Sequence, residues 1–377
     1  MEYLSNWTDP MTQFGSGSPN STDQPEDEEF SPLNNFLRRV QVCLVPVLFV
    51  FGLVGNLLAA GCFLSEPLRS TSCCLYMAGK CASDTGFLVP LFMMWLLRVG
   101  VDVVNVVGAC QLTVFLSYVC GFMSVWFVVP ITFENYIRLC RPQSTRSYCT
   151  TRVAVAVIAA VVLAALVGYS FPLWTTGVLH GREDEEPACM SLLKFKDVLI
   201  VMTFVDTVIT LLLPSFIIIP LVMASLFATL QAMKRKQRIR ESLIIQNQRH
   251  VLKNSLELQV AKFLLTVSMT FVILHSPGHL LRLKMLVDEY LLHKASESRD
   301  LMLQRLFECI YYFNFCGNLV IFLSSGANFR SRFSSMYCQR SRCVSRSYSD
   351  EYSLSQGRSR NVSENHCFNS DNPLERL

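Results

Sequence analysis

Apolar residues along this chain gather into long runs instead of alternating with polar ones. Seven such runs lie near 40–64, 73–97, 107–137, 152–178, 197–230, 256–286 and 302–324, each bounded by charged or turn-forming residues. Crossing about 30 Å of hydrocarbon takes roughly 20 apolar residues at about 1.5 Å each, and every run reaches that length. Inside lipid the backbone N–H and C=O groups must pair within their own segment, so each run predicts a helix. The expected fold class is an all-α integral membrane protein, a seven-transmembrane helix bundle. A short amphipathic inner-surface helix is expected after the last run, where Asn328, Phe329, Arg330 and Phe333 combine an apolar face with a basic one.

Charge between the runs sets the orientation. Lys234, Arg235, Lys236, Arg238, Arg240, Arg249 and Lys253 crowd the segment 231–255, and Arg138, Arg141 and Arg146 occupy another loop; by the positive-inside rule these face the cytoplasm. The opposite side is acidic, with Asp23, Glu26, Asp27, Glu28 and Glu29 before the first run and Glu183, Asp184, Glu185 and Glu186 in the 179–196 loop. The N-terminus is therefore expected outside, where the sequons at Asn6 and Asn20 would carry glycans; the sequon at Asn361 would stay cytoplasmic and unmodified. The opening MEYLSNWTDP has no basic region leading into an apolar run, so the first helix is expected to serve as the insertion signal. Residues 1–35 read as an extracellular disordered tail, 36–337 as the seven-helix domain with its surface helix, and 338–377 as a disordered cytoplasmic tail whose serines offer phosphorylation sites.

Composition agrees: 51% hydrophobic and 16% charged residues is more apolar surface than a soluble core needs. The net charge of +4 is explained by topology and gives no ground for nucleic-acid binding. Neither internal repeats of a transporter nor the paired groups of an intramembrane enzyme stand out. Of the 15 cysteines, most fall in the runs or on the inner side, where a reduced thiol acts as a small apolar filler. Cys110, opening the third run, and Cys189, in the second outer loop, both lie in oxidising territory and are expected to pair, with Cys43 as the weaker competitor. Cys338 and Cys343, in a basic stretch after the last run, are candidates for lipidation.

A charge held inside a membrane costs at least about 2.5–3.5 kcal/mol, which makes intramembrane polar residues functional candidates. Asp84 is the clearest. Around it stands an ordered set: Gly55-Asn56 in the first run, Ser83-Asp84 in the second, Cys110 opening the third and Glu134-Asn135-Tyr136 closing it, then Pro172, Pro214, Phe271 with Pro277, and Asn318-Leu319-Val320-Ile321-Phe322 in the last. Over residues 36–335 this order and spacing resemble the rhodopsin-like G-protein-coupled receptors.

That resemblance implies an extracellular ligand, a plasma-membrane location, and a heterotrimeric G protein and arrestin at the inner face. It implies a sodium ion held by Asp84, Ser124, Asn314 and Asn318, the alternative being a polar network with water and no ion. Its activation switch would comprise Glu134, Asn135, Tyr136, Pro214, Val125, Phe271, Pro277, Asn318 and Phe322. Amine receptors of this family carry an Asp where Ser117 stands, and opsins a Lys where Tyr312 stands, so neither ligand class is expected. Trp95, Arg98, Tyr118, Arg282 and Glu308 would face the cavity beside Ser117, His275, His279 and Tyr312; opposite charges with aromatics suit a peptide. The run Asp84-Thr85-Gly86-Phe87, with Pro277-Gly278-His279 and Arg282, is similar to invertebrate-type neuropeptide receptors in those helices alone.

Departures from the family pattern matter as much. Asn135 stands where the family usually has its switch arginine, Leu274-His275-Ser276-Pro277 where it has Cys-Trp-x-Pro, and Phe322 and Val222 where it has tyrosines. Signalling by an altered route and ligand capture without coupling therefore both stay open. His275 could report protonation or simply pack. Lys80, four residues before Asp84, could lock that carboxylate or snorkel to the inner interface, and the sequence leans toward snorkelling.

Overall fold

Uninterrupted apolar runs without mid-run turn signals fold here as long helices. The computed structural model describes residues 25–179, 187–242, 248–290, 292, 294 and 298–338. In chain order come α1 (Pro25–Phe63), α2 (Ser72–Arg98), α3 (Ala109–Cys140) and α4 (Thr151–Gly168). A hairpin of β1 (Thr176–Leu179) and β2 (Ala188–Ser191) follows, antiparallel, with Val178 opposite Cys189. Helix α5 runs from Lys196 to Thr207, widens into a π turn at Val208–Leu212 and continues over Leu213–Ser242; then come α6 (Gln248–Tyr290), α7 (Ser298–Cys316), α8 (Asn318–Ser325) and α9 (Ala327–Phe333).

Among the described residues, five helices are long and apolar enough to cross a membrane, and α7 with α8 form a sixth span bent by 58°. The bend falls at Gly317, where a side chain would meet the Phe313 carbonyl oxygen at 2.9 Å. Helix α2 completes the set of seven: its 27 residues reach about 40 Å at ~1.5 Å each, with Lys80 and Asp84 buried in its interior. The outward faces carry large apolar side chains, among them Phe51 (71% exposed), Leu163 (64%) and Val320 (71%). In water such a surface would drive association; in a bilayer it faces acyl chains.

Among the described residues, apolar clusters pack the interior between the helices. Val45, Leu48, Leu88, Leu91, Tyr311, Tyr312 and Phe315 join α1, α2 and α7. Val119, Phe122, Ala165, Tyr169, Phe171 and Leu199 join α3 and α5 to α4 and the segment after it. Val125, Val128, Ile218, Val222, Leu265 and Phe271 join α3, α5 and α6.

Boundaries differ from the expected ones in three places. The first helix begins at Pro25, inside the stretch read as a tail. In the basic segment 231–255, residues 231–242 and 248–255 are helical, because Lys, Arg, Gln and Glu favour helix and extend α5 and α6 past the apolar runs. Pro172 does not lie within the fourth helix: α4 stops at Gly168 and Pro172 opens a separate turn, Pro172–Thr175, where its missing N–H leaves no hydrogen bond unmade. The helix expected around Asn328–Phe333 is present as α9, with Phe329 (2% exposed) turned in against Phe63 and Phe322. From Ser331 the chain forms a separate unit, in which the rings of Phe333 and Tyr337 lie 4.9 Å apart. Asn6, Asn20, Cys343, the acids Glu183–Glu186 and the tail 339–377 lie outside the described residues.

Candidate functional site

The end of the bundle where α3 begins is tied by the Cys110–Cys189 disulfide, with Cα atoms 5.6 Å apart, linking the first turn of α3 to β2. Cys43 is free and exposed, so the competing pairing is not made. Asn105 reinforces the tie, its Oδ1 accepting from the Cys189 backbone N–H at 2.8 Å. The hairpin is thus held against α3 two helical turns from Tyr118.

Deeper in the bundle, α2, α3, α5, α6 and α7 enclose a cavity of about 850 Å³ including its open mouth. Its polar lining is Ser117, Tyr118, Asp206, Thr210, His279 and Arg282, and its aromatic lining includes Phe87, Phe122, Tyr311 and Tyr312. Five of the expected ligand residues, Ser117, Tyr118, His279, Arg282 and Tyr312, are therefore brought together. Asp206 is the residue that sequence reasoning missed. It lies two residues before the π turn of α5, 5% exposed; Oδ1 accepts from the Tyr169 hydroxyl at 2.7 Å and Oδ2 stands 3.4 Å from Arg282 Nη2. An acid inside the fifth apolar run was signal enough, by the same reasoning that singled out Asp84.

Trp95, Arg98, Glu308 and His275 do not line this cavity, contrary to expectation. The first three join a separate cluster between α1, α2 and α7, where Gln41 on α1 holds Arg98 and Glu308 and the neighbouring Val42 carbonyl holds Trp95. Trp95 Nε1 donates to the Val42 carbonyl at 2.7 Å, Arg98 donates to Gln41 Oε1 at 3.3 Å, and Glu308 accepts from Gln41 Nε2 at 3.4 Å and Gln304 Nε2 at 3.2 Å. His275 packs beneath the floor, its ring 4.5 Å from that of Phe271 and 3.9 Å from that of His279.

At the bundle middle, Asp84, Ser124 and Asn318 converge. Asp84 Oδ1 accepts from Ser124 Oγ at 2.5 Å, and Oδ2 accepts from Asn318 Nδ2 at 2.5 Å. Asn318 also donates to Asn56 Oδ1 at 2.9 Å, while Asn56 donates to the Phe315 carbonyl at 2.8 Å, joining α1, α2, α3, α7 and α8. Asn314 is buried but makes none of these contacts. The snorkelling expected of Lys80 does not occur: its Nζ lies 2.7 Å from Asp84 Oδ2 and 3.3 Å from Ser124 Oγ, with the residue 1% exposed. A buried carboxylate one turn away is a closer partner for the ammonium than the interface. Among the described residues no cluster of His, Cys, Asp and Glu could hold a metal ion.

At the inner end, Glu134 Oε2 pairs with Arg138 Nη2 at 3.4 Å, one turn along α3. Asn135 is fully buried, its side-chain amide without a hydrogen-bond partner. The Thr132 and Ser268 hydroxyls lie 2.8 Å apart, linking α3 to α6. Val125 and Phe271 share the cluster that Val222 completes, Pro214 is buried on α5, and Pro277 sits within α6. Phe322 replaces polar contacts with ring packing against Phe63, Phe263 and Phe329, at centroid distances of 5.0, 5.8 and 5.6 Å.

Seven spans, a disulfide-tied hairpin, a cavity among α2, α3, α5, α6 and α7, and a polar network at mid-depth make up a heptahelical membrane bundle. The profile of the 7 transmembrane receptor (rhodopsin family) matches residues 55–322, and the chain belongs to that family. It is a multi-pass membrane protein and a receptor, not an enzyme. It is similar to Probable G-protein coupled receptor 34 of Mus musculus, 28% identical over 171 residues, 45% of this chain and 44% of the relative. The same protein of Pan troglodytes is 27% identical over 171 residues, 45% and 43% of the two chains. The FMRFamide peptide receptor frpr-18 of Caenorhabditis elegans is 23% identical over 164 residues, 40% of this chain and 38% of the relative. The chain thus spans under half the length of the curated relatives it matches.

Proposed function

We propose that this protein is a plasma-membrane receptor, its N-terminus outside, that binds an extracellular peptide in the Asp206–Arg282 cavity and signals through a heterotrimeric G protein. The observation that carries this reading is one cavity offering a carboxylate, a guanidinium and several aromatic side chains, in a bundle whose third helix is tied by a disulfide to a hairpin. A peptide presents charges of both signs and apolar side chains at once; a lipid or a simple amine matches only part of that lining. A relative described as an FMRFamide peptide receptor supports the ligand class. The basic inner segments and the Ser-rich tail suit G protein, arrestin and anionic lipid at the cytoplasmic face.

Binding drives signalling only if the ligand prefers the active bundle. Contact with Arg282 and the tied hairpin would favour movement of α6 about Pro277 and repacking of Val125 and Phe271. Surface-expressing cells challenged with a peptide library and with amine and lipid pools test the ligand class. A saturable response to a peptide is expected; a response confined to amines or lipids overturns it. Asn135 favours a second reading, capture of the peptide without coupling, because the arginine usual at that position is missing.

A further inference from the structure

We propose that Lys80 is a tethered cation that takes the place of a mobile sodium ion in the middle of this bundle. The sodium expected from the family resemblance needs free carboxylate and hydroxyl oxygens, and here they are already used. Asp84 Oδ2 receives the Lys80 ammonium at 2.7 Å together with the Asn318 amide, and Asp84 Oδ1 receives the Ser124 hydroxyl. The ammonium also stands 3.3 Å from Ser124 Oγ, so it covers two of the oxygens that would coordinate the ion. Asn314, the fourth expected ligand, takes no part in the network.

Charge balance leads to the same conclusion. One carboxylate with one ammonium is neutral, and Lys80 and Asp84 are 1% and 0% exposed. Adding a sodium ion would place a second cation against the first at a buried site, where their repulsion is weakly screened. The side chain cannot leave as an ion can, because its Cα is fixed one helical turn from that of Asp84. Local cation concentration at the site is then set by the covalent tether, not by the surrounding salt. The resting network from α2 to α3 and α8 is accordingly indifferent to sodium.

The test uses the purified full-length receptor, melted in sodium chloride and in N-methylglucamine chloride at equal ionic strength. The unmodified protein is expected to melt at the same temperature in both, whereas Lys80→Met, which uncovers the oxygens, gains a sodium-dependent rise of a few degrees that grows with the logarithm of concentration. A sodium-specific rise in the unmodified protein overturns the proposal, as does a folded Lys80→Met that ignores sodium. Should Lys80→Met fail to fold, two further variants decide. Asp84→Asn alone strands the ammonium and should lower the melting temperature more than Asp84→Asn combined with Lys80→Met. An equal or smaller loss in the single variant would show that the two charges do not hold each other.

Discussion

Replacement of Cys110 by alanine is expected to remove most receptor from the cell surface and to abolish ligand response in what remains. The bond closes a separation of 79 residues. In the chain-entropy picture a loop of that size stabilises the fold by about 4–5 kcal/mol. Domains rarely have more than about 5–15 kcal/mol in total, so this loss is a large share. Because the bond also positions the hairpin near the cavity, binding should fall even when folding is rescued by low temperature. Cys189→Ala should match Cys110→Ala, and the double variant should be no worse than either. Surface staining of a tagged receptor against total expression checks this; unchanged surface level and potency in either single variant would contradict it.

Replacing Asp206 by alanine should weaken the peptide response by about 30-fold or more, the scale of ~2 kcal/mol or above for truncating one partner of a buried, hydrogen-bonded charge pair at an interface. The carboxylate holds the Tyr169 hydroxyl and stands against Arg282, so its removal leaves a cavity guanidinium without this counter-charge and loosens the aromatic wall where Tyr118 stacks on Tyr169 at 5.6 Å. Asp206→Asn, which keeps the shape but not the charge, separates packing from electrostatics. A double-mutant cycle with Arg282→Ala gives their coupling, since contacting residues do not contribute additively. Potency measured at matched surface expression is the readout. A shift below about threefold in Asp206→Ala, on the order of 0.7 kcal/mol, would mean the ligand does not use this pair.

Much of the fold was legible because lipid imposes a crude requirement. Run length alone predicts a helix, and inner and outer cysteines differ by compartment, which singled out Cys110 and Cys189. What the sequence hid was direction. Trp95, Arg98 and Glu308 share one half of the bundle with the cavity residues, yet which side they face follows Gln41 and the Val42 carbonyl, on α1 and distant from them in sequence. Lys80 was readable as an i,i+4 partner of Asp84, but the choice between inward lock and outward reach rests on burial, which spacing does not report. Asp206 was overlooked for another reason: no motif surrounds it, although its charge in an apolar run was visible. Helix ends beyond the hydrocarbon, as at Pro25 and through 231–255, follow helix propensity and carry no hydropathy signal.

The inner end leaves one choice that bears on function more than any other. Asn135 is buried with an unpartnered amide, and the neighbouring acid Glu134 is engaged by Arg138 one turn away. This end of the bundle is therefore held through hydroxyl, ring and apolar contacts: Thr132 with Ser268, Phe322 among three phenylalanines, and the Val125–Phe271 cluster. These contacts can break and re-form without an arginine at position 135. The most direct measurement is nucleotide exchange on heterotrimeric G protein by membranes carrying the unmodified receptor or Asn135→Arg, each with and without the activating peptide. Peptide-dependent exchange by the unmodified receptor is the predicted result; exchange seen only with Asn135→Arg, despite equal peptide binding, would contradict it.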